Sequence, residues 1–246
     1  MSAMSLSRGL AVVTGSASGI GFECSRRFLD AGWDVFGIDV VGKGRQRPEV
    51  GGGGRFREFA GDVRSVEDME RAAALAADGA WGQRVVLVNV AGVYPPSTLE
   101  TVTPAKYEEV FGTNVWGVLN VSRAFIPLLS GGGSGCVINV ASVDGLEPSP
   151  GQLLYSASKA AVIMLTRALG RDLAASNVRV NAVAPGWVDT ERNRASGRME
   201  AAVRAVPLGR AASPSEIAGC IYLLATASDF AYVTGCTLPV AGGLFV

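Results

Sequence analysis

The chain has 246 residues, 48% of them hydrophobic, and its 22 basic and 22 acidic side chains cancel to a formal net charge of zero. That length fits one domain with a sizeable core, and balanced charge offers no long-range field for nucleic acid or an anionic membrane, so a small molecule is the expected partner. Histidine is absent, which excludes a Ser-His-Asp hydrolase, a His-ligated metal centre and a histidine general base, and no metal site is expected; proton transfer falls to Tyr, Lys, Cys or a carboxylate.

Residues 1–8 read as a flexible tail before the first strand, LAVVTG; its apolar run is too short to span a membrane and lacks a cleavage-site pattern. The scattered Cys24, Cys136, Cys220 and Cys236 suit reduced, buried core thiols, and with them a cytoplasmic location. Between that strand and the helical GIGFECSRRFLDAGW lie Gly15, Gly19 and Gly21. Glycine lets a backbone turn sharply and approach a pyrophosphate, and a helix N-terminus supplies N–H donors. The next strand, DVFGID, ends at Asp39, near the ~20-residue offset of a ribose-binding carboxylate. A carboxylate there accepts hydrogen bonds from an adenosine ribose and repels a 2′-phosphate, which favours NAD over NADP. Lys43, Arg45 and Arg47 follow and could reach a phosphate, but Ser16, Ala17 and Ser18 leave no basic residue inside the glycine turn.

Further along come the strand RFREFAG, a helix over 66–78, the strand RVVLVNVAG, a long helix over 104–129, the strand GCVINVAS, a helix over 153–175, the strand VRVNAVAP, a helix over 213–226 and the strand CTLPVAG. This alternation predicts α/β architecture: one Rossmann-type doubly wound domain over 1–246, with a parallel sheet of about seven strands and helices on both faces. The glycine-rich stretches at 51–54 and 131–135 read as surface turns. The weakly patterned segment 190–210 follows a strand end and is expected to form a substrate lid, an ordinary solvated helical excursion being the competing reading.

The stretch YSASKAAVIML puts Tyr155 and Lys159 four residues apart, on one face of a helix. Hydride transfer to a carbonyl leaves an alkoxide that needs a proton from a donor in contact with it. A free tyrosine, with a pKa of about 10, is a poor base, and a neighbouring ammonium favours its phenolate. The bland alternative is a locally bonded tyrosine and a snorkelling lysine.

In this order and spacing, TGSASGIG, NVAG, NVASV, YSASK and PGWVDT resemble the classical short-chain dehydrogenase/reductase family over residues 10–243. The resemblance implies that Tyr155 is the acid/base, that Lys159 binds the nicotinamide ribose and lowers the phenol pKa, that Ser142 orients the substrate oxygen, and that Asn114 holds a water in a proton relay. It implies cofactor contacts from Gly15, Ser18, Gly19, Ile20, Gly21 and Asp39, from Asp62 and Val63 at the adenine, and from Asn89, Ala91 and Gly92 beside the adenosine ribose. Pro185, Gly186, Val188 and Thr190 correspond to the nicotinamide end, and a homotetramer, or else a dimer, is implied. Val90 and Ala241 depart from residues frequent in the family, an asparagine and an aspartate.

Ser142, Asp144, Gln152, Tyr94 and Trp187 are the substrate-facing candidates, an aromatic wall with a few polar groups that suits a small or medium carbonyl compound or secondary alcohol. Asp144 and Glu147 count against an anionic substrate. The expected function is an NAD(H)-dependent oxidoreductase acting on a secondary alcohol or ketone. Its rivals are an NADPH-dependent ketoreductase resembling 3-oxoacyl-[acyl-carrier-protein] reductases, suggested by GQLLYSASKAA, and a nucleotide-sensing protein on the same fold.

Overall fold

The structure, a computed structural model, describes residues 9–41, 48, 54–78 and 83–244. Seven strands, β1 (Gly9–Thr14), β2 (Asp34–Asp39), β3 (Phe56–Ala60), β4 (Arg84–Asn89), β5 (Gly135–Val140), β6 (Val178–Pro185) and β7 (Thr237–Val240), form one sheet in the order β3-β2-β1-β4-β5-β6-β7. Every neighbouring pair is parallel. The central strands β1 and β5 are buried along their whole length, which is why they read as unbroken apolar runs rather than alternating ones.

The helices are α1 (Gly19–Asp30), α2 (Val66–Ala77), α3 (Pro104–Phe111), α4 (Gly117–Gly131), α5 (Leu153–Asp172), α6 (Glu191–Ala195), α7 (Met199–Val203) and α8 (Pro214–Thr226). Side chains alternate along each strand. Ala11 and Val13 of β1 pack with Phe28 and Leu29 of α1 and Ile217 and Ile221 of α8. Leu10 and Val12 point the other way, to Met69 and Ala72 of α2 and Phe125 and Leu129 of α4. α5 joins α4 on that second face, where Val162 and Ile163 meet Val118, Ala182 and Ala184. Strand order reverses between β1, which is followed by β2, and β4, so the crevice of this fold opens at the carboxyl ends of those two strands.

Three expectations are corrected. The helix over 104–129 is interrupted by a π turn, Gly112–Trp116, which carries Asn114; such turns insert an extra residue and often mark functional positions. The stretch 131–135 is a surface turn at the exposed Gly133 and Ser134 but is pinned on either side, since a Cβ on Gly132 would overlap the Gln83 carbonyl oxygen and one on Gly135 that of Leu129. Cys24 and Cys136 are buried as expected, but Cys220 is half-buried and Cys236 exposed, because Cys236 sits in the turn entering the edge strand β7. Residues 1–8, Lys43, Arg45, Arg47 and 51–53 lie outside the described residues. Among the described residues, no helix is long and apolar enough to cross a membrane and no cluster of acidic and cysteine side chains could hold a metal.

Candidate active site

The glycine turn is shaped by one contact that excludes a side chain and by two backbone angles that disfavour one. A Cβ on Gly21 would overlap the Gly15 carbonyl oxygen, and one on Gly15, whose φ is +66°, would lie 3.1 Å from the Ala91 backbone. Gly19, at φ +52°, opens toward Thr190, whose methyl carbon would be 3.2 Å from an added Cβ. Ser18 is extended and exposed and makes no side-chain cap to α1, whereas Ser65, Thr103 and Ser213 cap α2, α3 and α8 and Ser97 accepts from the first amides of α5. The first turn of α1 therefore keeps N–H donors free for an anion at a cradle that side chains would fill, which fits a dinucleotide pyrophosphate. The Ile20 side chain is partly buried and packs against the core. Asp39 joins this wall: its Oδ2 accepts from Ala17 N at 3.0 Å and its Oδ1 from Val41 N at 3.1 Å.

The residues expected at the adenosine end are pinned from behind. Asp62 accepts from the Arg64 guanidinium at 2.6–3.1 Å, and that pairing holds its carboxyl below the usual range. Val63 is buried, its carbonyl accepting from Asn120 at 2.9 Å. Asn89 is buried in a side-chain network, donating to Asn139 at 2.9 Å, and its own Oδ1 has no hydrogen-bond partner among the described residues. Thr14 Oγ1 accepts from the backbone of Val90 and Ala91 at 3.0 and 3.1 Å, fixing the loop that leads to Gly92.

Ser142, Tyr155 and Lys159 meet where β5 ends and α5 begins. Ser142 caps the short turn after β5, accepting from Asp144 N at 3.1 Å, and its hydroxyl bears on the Tyr155 phenol, favouring the ionised form. Close backbone contact fixes the turn on the helix, since a Cβ on Gly145 would sit 2.6 Å from the Lys159 carbonyl carbon. Lys159 is 5% exposed and donates to the Val140 carbonyl at 2.7 Å; burial lowers its pKa to about 8. Its Nζ lies 5.7 Å from the centroid of the Tyr155 ring. Burial pushes the Tyr155 phenol well above its ordinary value, against the pull of Ser142 and Arg192.

Asn114 is wholly engaged. Its Oδ1 accepts from Val93 N at 2.8 Å, and its Nδ2 donates to Val93 O at 2.9 Å and to Ser158 Oγ at 3.0 Å. The side chain thus clamps the loop after β4 to α5, and Gly92 lies between: an added Cβ there would be 3.3 Å from Asn114 Oδ1 and 3.6 Å from Lys159 Nζ.

The Pro185–Thr190 segment closes the other side. Gly186 N donates to Val240 O at 3.1 Å, and Val188 turns its side chain into the core while its carbonyl accepts from Thr190 N and Asn193 Nδ2. Thr190 caps α6 with its hydroxyl, accepting from Asn193 N at 3.2 Å. Of the substrate-facing candidates, Tyr94 lies 5.6 Å from Tyr155 between ring centroids and Asp144 accepts from Ser149 at 2.7 Å, its carboxyl raised by burial. Gln152 is 2% exposed and, with its carboxamide oxygen facing Arg198, accepts from both terminal guanidinium nitrogens at 2.7 and 2.9 Å. That guanidinium lies over the Trp187 ring, 5.8 Å from its centroid. Sequence reasoning missed Arg198 and Arg192, the latter 4.4 Å above the Tyr94 ring, because nothing in an evenly charged helical stretch says which arginines turn inward.

Comparison with known proteins agrees with this geometry. The family model described as short chain dehydrogenase matches residues 9–201. The 3-oxoacyl-[acyl-carrier-protein] reductase FabG of Chlamydia muridarum is 34% identical over 239 residues, covering 95% of this chain and 96% of its own. An acetoacetyl-CoA reductase of Rhizobium meliloti is 33% identical over 243 residues, covering 96% and 98%. A crystal structure of 3-ketoacyl-(acyl-carrier-protein) reductase from Brucella melitensis complexed with NADH superposes with a TM-score of 0.88 at 28% identity, covering 98% of this chain and all of that one.

Proposed function

The chain belongs to the short-chain dehydrogenase family of nicotinamide-dependent oxidoreductases, and from that premise we propose that it interconverts a secondary alcohol and a ketone using NAD(H), with Tyr155 as the acid/base. When bound, the nicotinamide supplies or accepts the hydride. Tyr155 gives its proton to the substrate oxygen in reduction and takes one back in oxidation; Ser142, bearing on the same phenol, orients that oxygen by hydrogen bonding. Lys159, buried and cationic beside the ring, favours the phenolate and keeps N–H donors beyond the one given to Val140 for a ribose hydroxyl. Asn114 holds the loop and helix that keep these groups in register. Gly15, Gly19 and Gly21 with the uncapped start of α1 would take the pyrophosphate, and Thr190 would bound it from the far side.

The observation that carries this reading is the meeting of Ser142, Tyr155 and Lys159 at the head of α5. Preference for NAD rests on Asp39, whose charge stands against the glycine turn, and agrees with the NADH in the Brucella relative. Steady-state kinetics with a panel of ketones and alcohols and both nicotinamides, followed by absorbance of the reduced form, is the test; a clear NADPH preference would overturn the cofactor assignment. The names of the relatives favour a second reading, reduction of 3-oxoacyl thioesters, which the same panel tests with acetoacetyl-CoA. A cytoplasmic homotetramer belongs to this proposal, supported by the exposed Leu153 and Met164 on α5 and tested by light scattering.

A further inference from the structure

We propose that Arg198, with Arg192 beside it, forms a carboxylate-binding subsite at the mouth of the active site, so that the preferred substrate is an oxo acid or the matching hydroxy acid; this rests on the oxidoreductase reading above. Segment 190–210 contains five arginines, and three of them are spent on carboxylates: Arg194 on Asp189, Arg204 on Glu200 and Arg210 on Glu216. Arg192 and Arg198 have no ion-pair partner among the described residues, and these two turn toward the site.

Arg198 is held in a built setting. A neutral, almost wholly buried amide, Gln152, three residues before Tyr155, accepts from its two terminal nitrogens, and Trp187 packs beneath it. A guanidinium carries five N–H donors, so an amide oxygen orients it without neutralising it and leaves donors for a second acceptor. Arg192 rests on Tyr94, whose ring adjoins Tyr155, and donates to Gly92 O at 3.4 Å. The field of both cations reaches the site: Arg192 draws the Tyr155 phenol toward ionisation and Arg198 does the same to the Asp144 carboxyl. Asp144, which bears on Tyr155, is engaged with Ser149, and Glu147 is exposed, so the expectation that these two acids disfavour an anion is outweighed by two arginines without an ion-pair partner among the described residues. A planar guanidinium recognises a carboxylate through paired N–H···O bonds, which selects this anion by geometry as well as charge.

Pyruvate, acetoacetate and levulinate, each against its methyl ester, together with acetoacetyl-CoA, are to be reduced by the wild type and by Arg198→Met and Arg198→Lys. The wild type is expected to favour at least one acid over its ester by tenfold or more in kcat/KM, mainly through KM. Arg198→Met should remove that preference and Arg198→Lys restore part of it. Esters used as well as acids throughout, or a preference that survives Arg198→Met, would overturn the proposal. So would loss of acetoacetyl-CoA turnover in Arg198→Met with the acid-to-ester ratio unmoved, which would assign the arginine to a phosphate. If no ketone is turned over, the oxidoreductase reading fails, and calorimetric titration with the same acids still decides the subsite: binding lost in Arg198→Met supports it, and equal or absent binding in the wild type overturns it.

Discussion

Lys159 holds its ammonium 5.7 Å from the centre of the Tyr155 ring while donating to the Val140 carbonyl, so the cation is fixed beside the phenol by the sheet rather than by the phenol itself. Burial acts on both groups in opposite senses, lowering Lys159 to about 8 and raising Tyr155. Alcohol oxidation needs the phenolate and should speed up with rising pH, then bend over above pH 8 as Lys159 loses its charge. Ketone reduction needs the phenol and should stay level through neutrality. Initial rates in both directions at saturating cofactor check the pair of profiles, and parallel profiles would contradict the assignment.

The same depressed lysine links stability to pH. Below pH 8 Lys159 is charged in both the folded and the unfolded chain, and its burial weakens the fold in full. Between about 8 and its ordinary 10.5 the unfolded chain binds more protons, so the contribution of Lys159 improves as pH rises. The stability gap between wild type and Lys159→Met should therefore shift in favour of the wild type across that window, by up to about 3 kcal/mol. Urea unfolding at several pH values measures it.

Replacing Tyr155 by Phe removes the proton donor and keeps the ring packed on Tyr94. Turnover should fall by about 10²–10⁴ or more. Binding of reduced nicotinamide, read by fluorescence, should change by only a few-fold, and substantial residual turnover would count against the acid/base role.

Asp39→Asn removes the charge and keeps one of the two acceptor oxygens that serve the Ala17 and Val41 amides. The ratio of kcat/KM for NADPH over NADH should rise by about tenfold, corresponding to roughly 1.4 kcal/mol of relieved repulsion. An unchanged ratio would show that selectivity resides elsewhere.

Asn114→Ala strips the partners from both backbone groups of Val93 at once. Both groups are only partly buried, so each loss falls at the lower end of about 1–3 kcal/mol, and the melting temperature should drop by several degrees along with activity. Gly21→Ala should be worse for folding, because its Cβ meets a backbone oxygen that cannot move aside. Thermal denaturation of both variants ranks them.

The sheet was legible because its central strands are buried on both faces and its helices are amphipathic, so the two periods alternate cleanly along the chain. The glycine turn and the Tyr155–Lys159 spacing were equally plain, since each depends on local backbone geometry. The π turn was not: Gly112 and Gly117 sit in an otherwise ordinary helical pattern, and the break follows from the long-range ties of Asn114 to Val93 and Ser158 and of Asn120 to Val63. The burial of Asn89 in a polar network and the inward turn of Arg198 likewise depend on partners 50 and 46 positions away, Asn139 and Gln152, which no local pattern reveals.

Thr190 stands against Gly19 while also starting α6, so the floor of the nucleotide cradle and the first residue of the substrate-side excursion are one surface. Any part of a nucleotide's binding free energy that depends on the posture of the segment after Thr190 must return, in equal measure, as a bias on that posture. Occupancy at one end and readiness at the other are reciprocal quantities to the extent of that coupling.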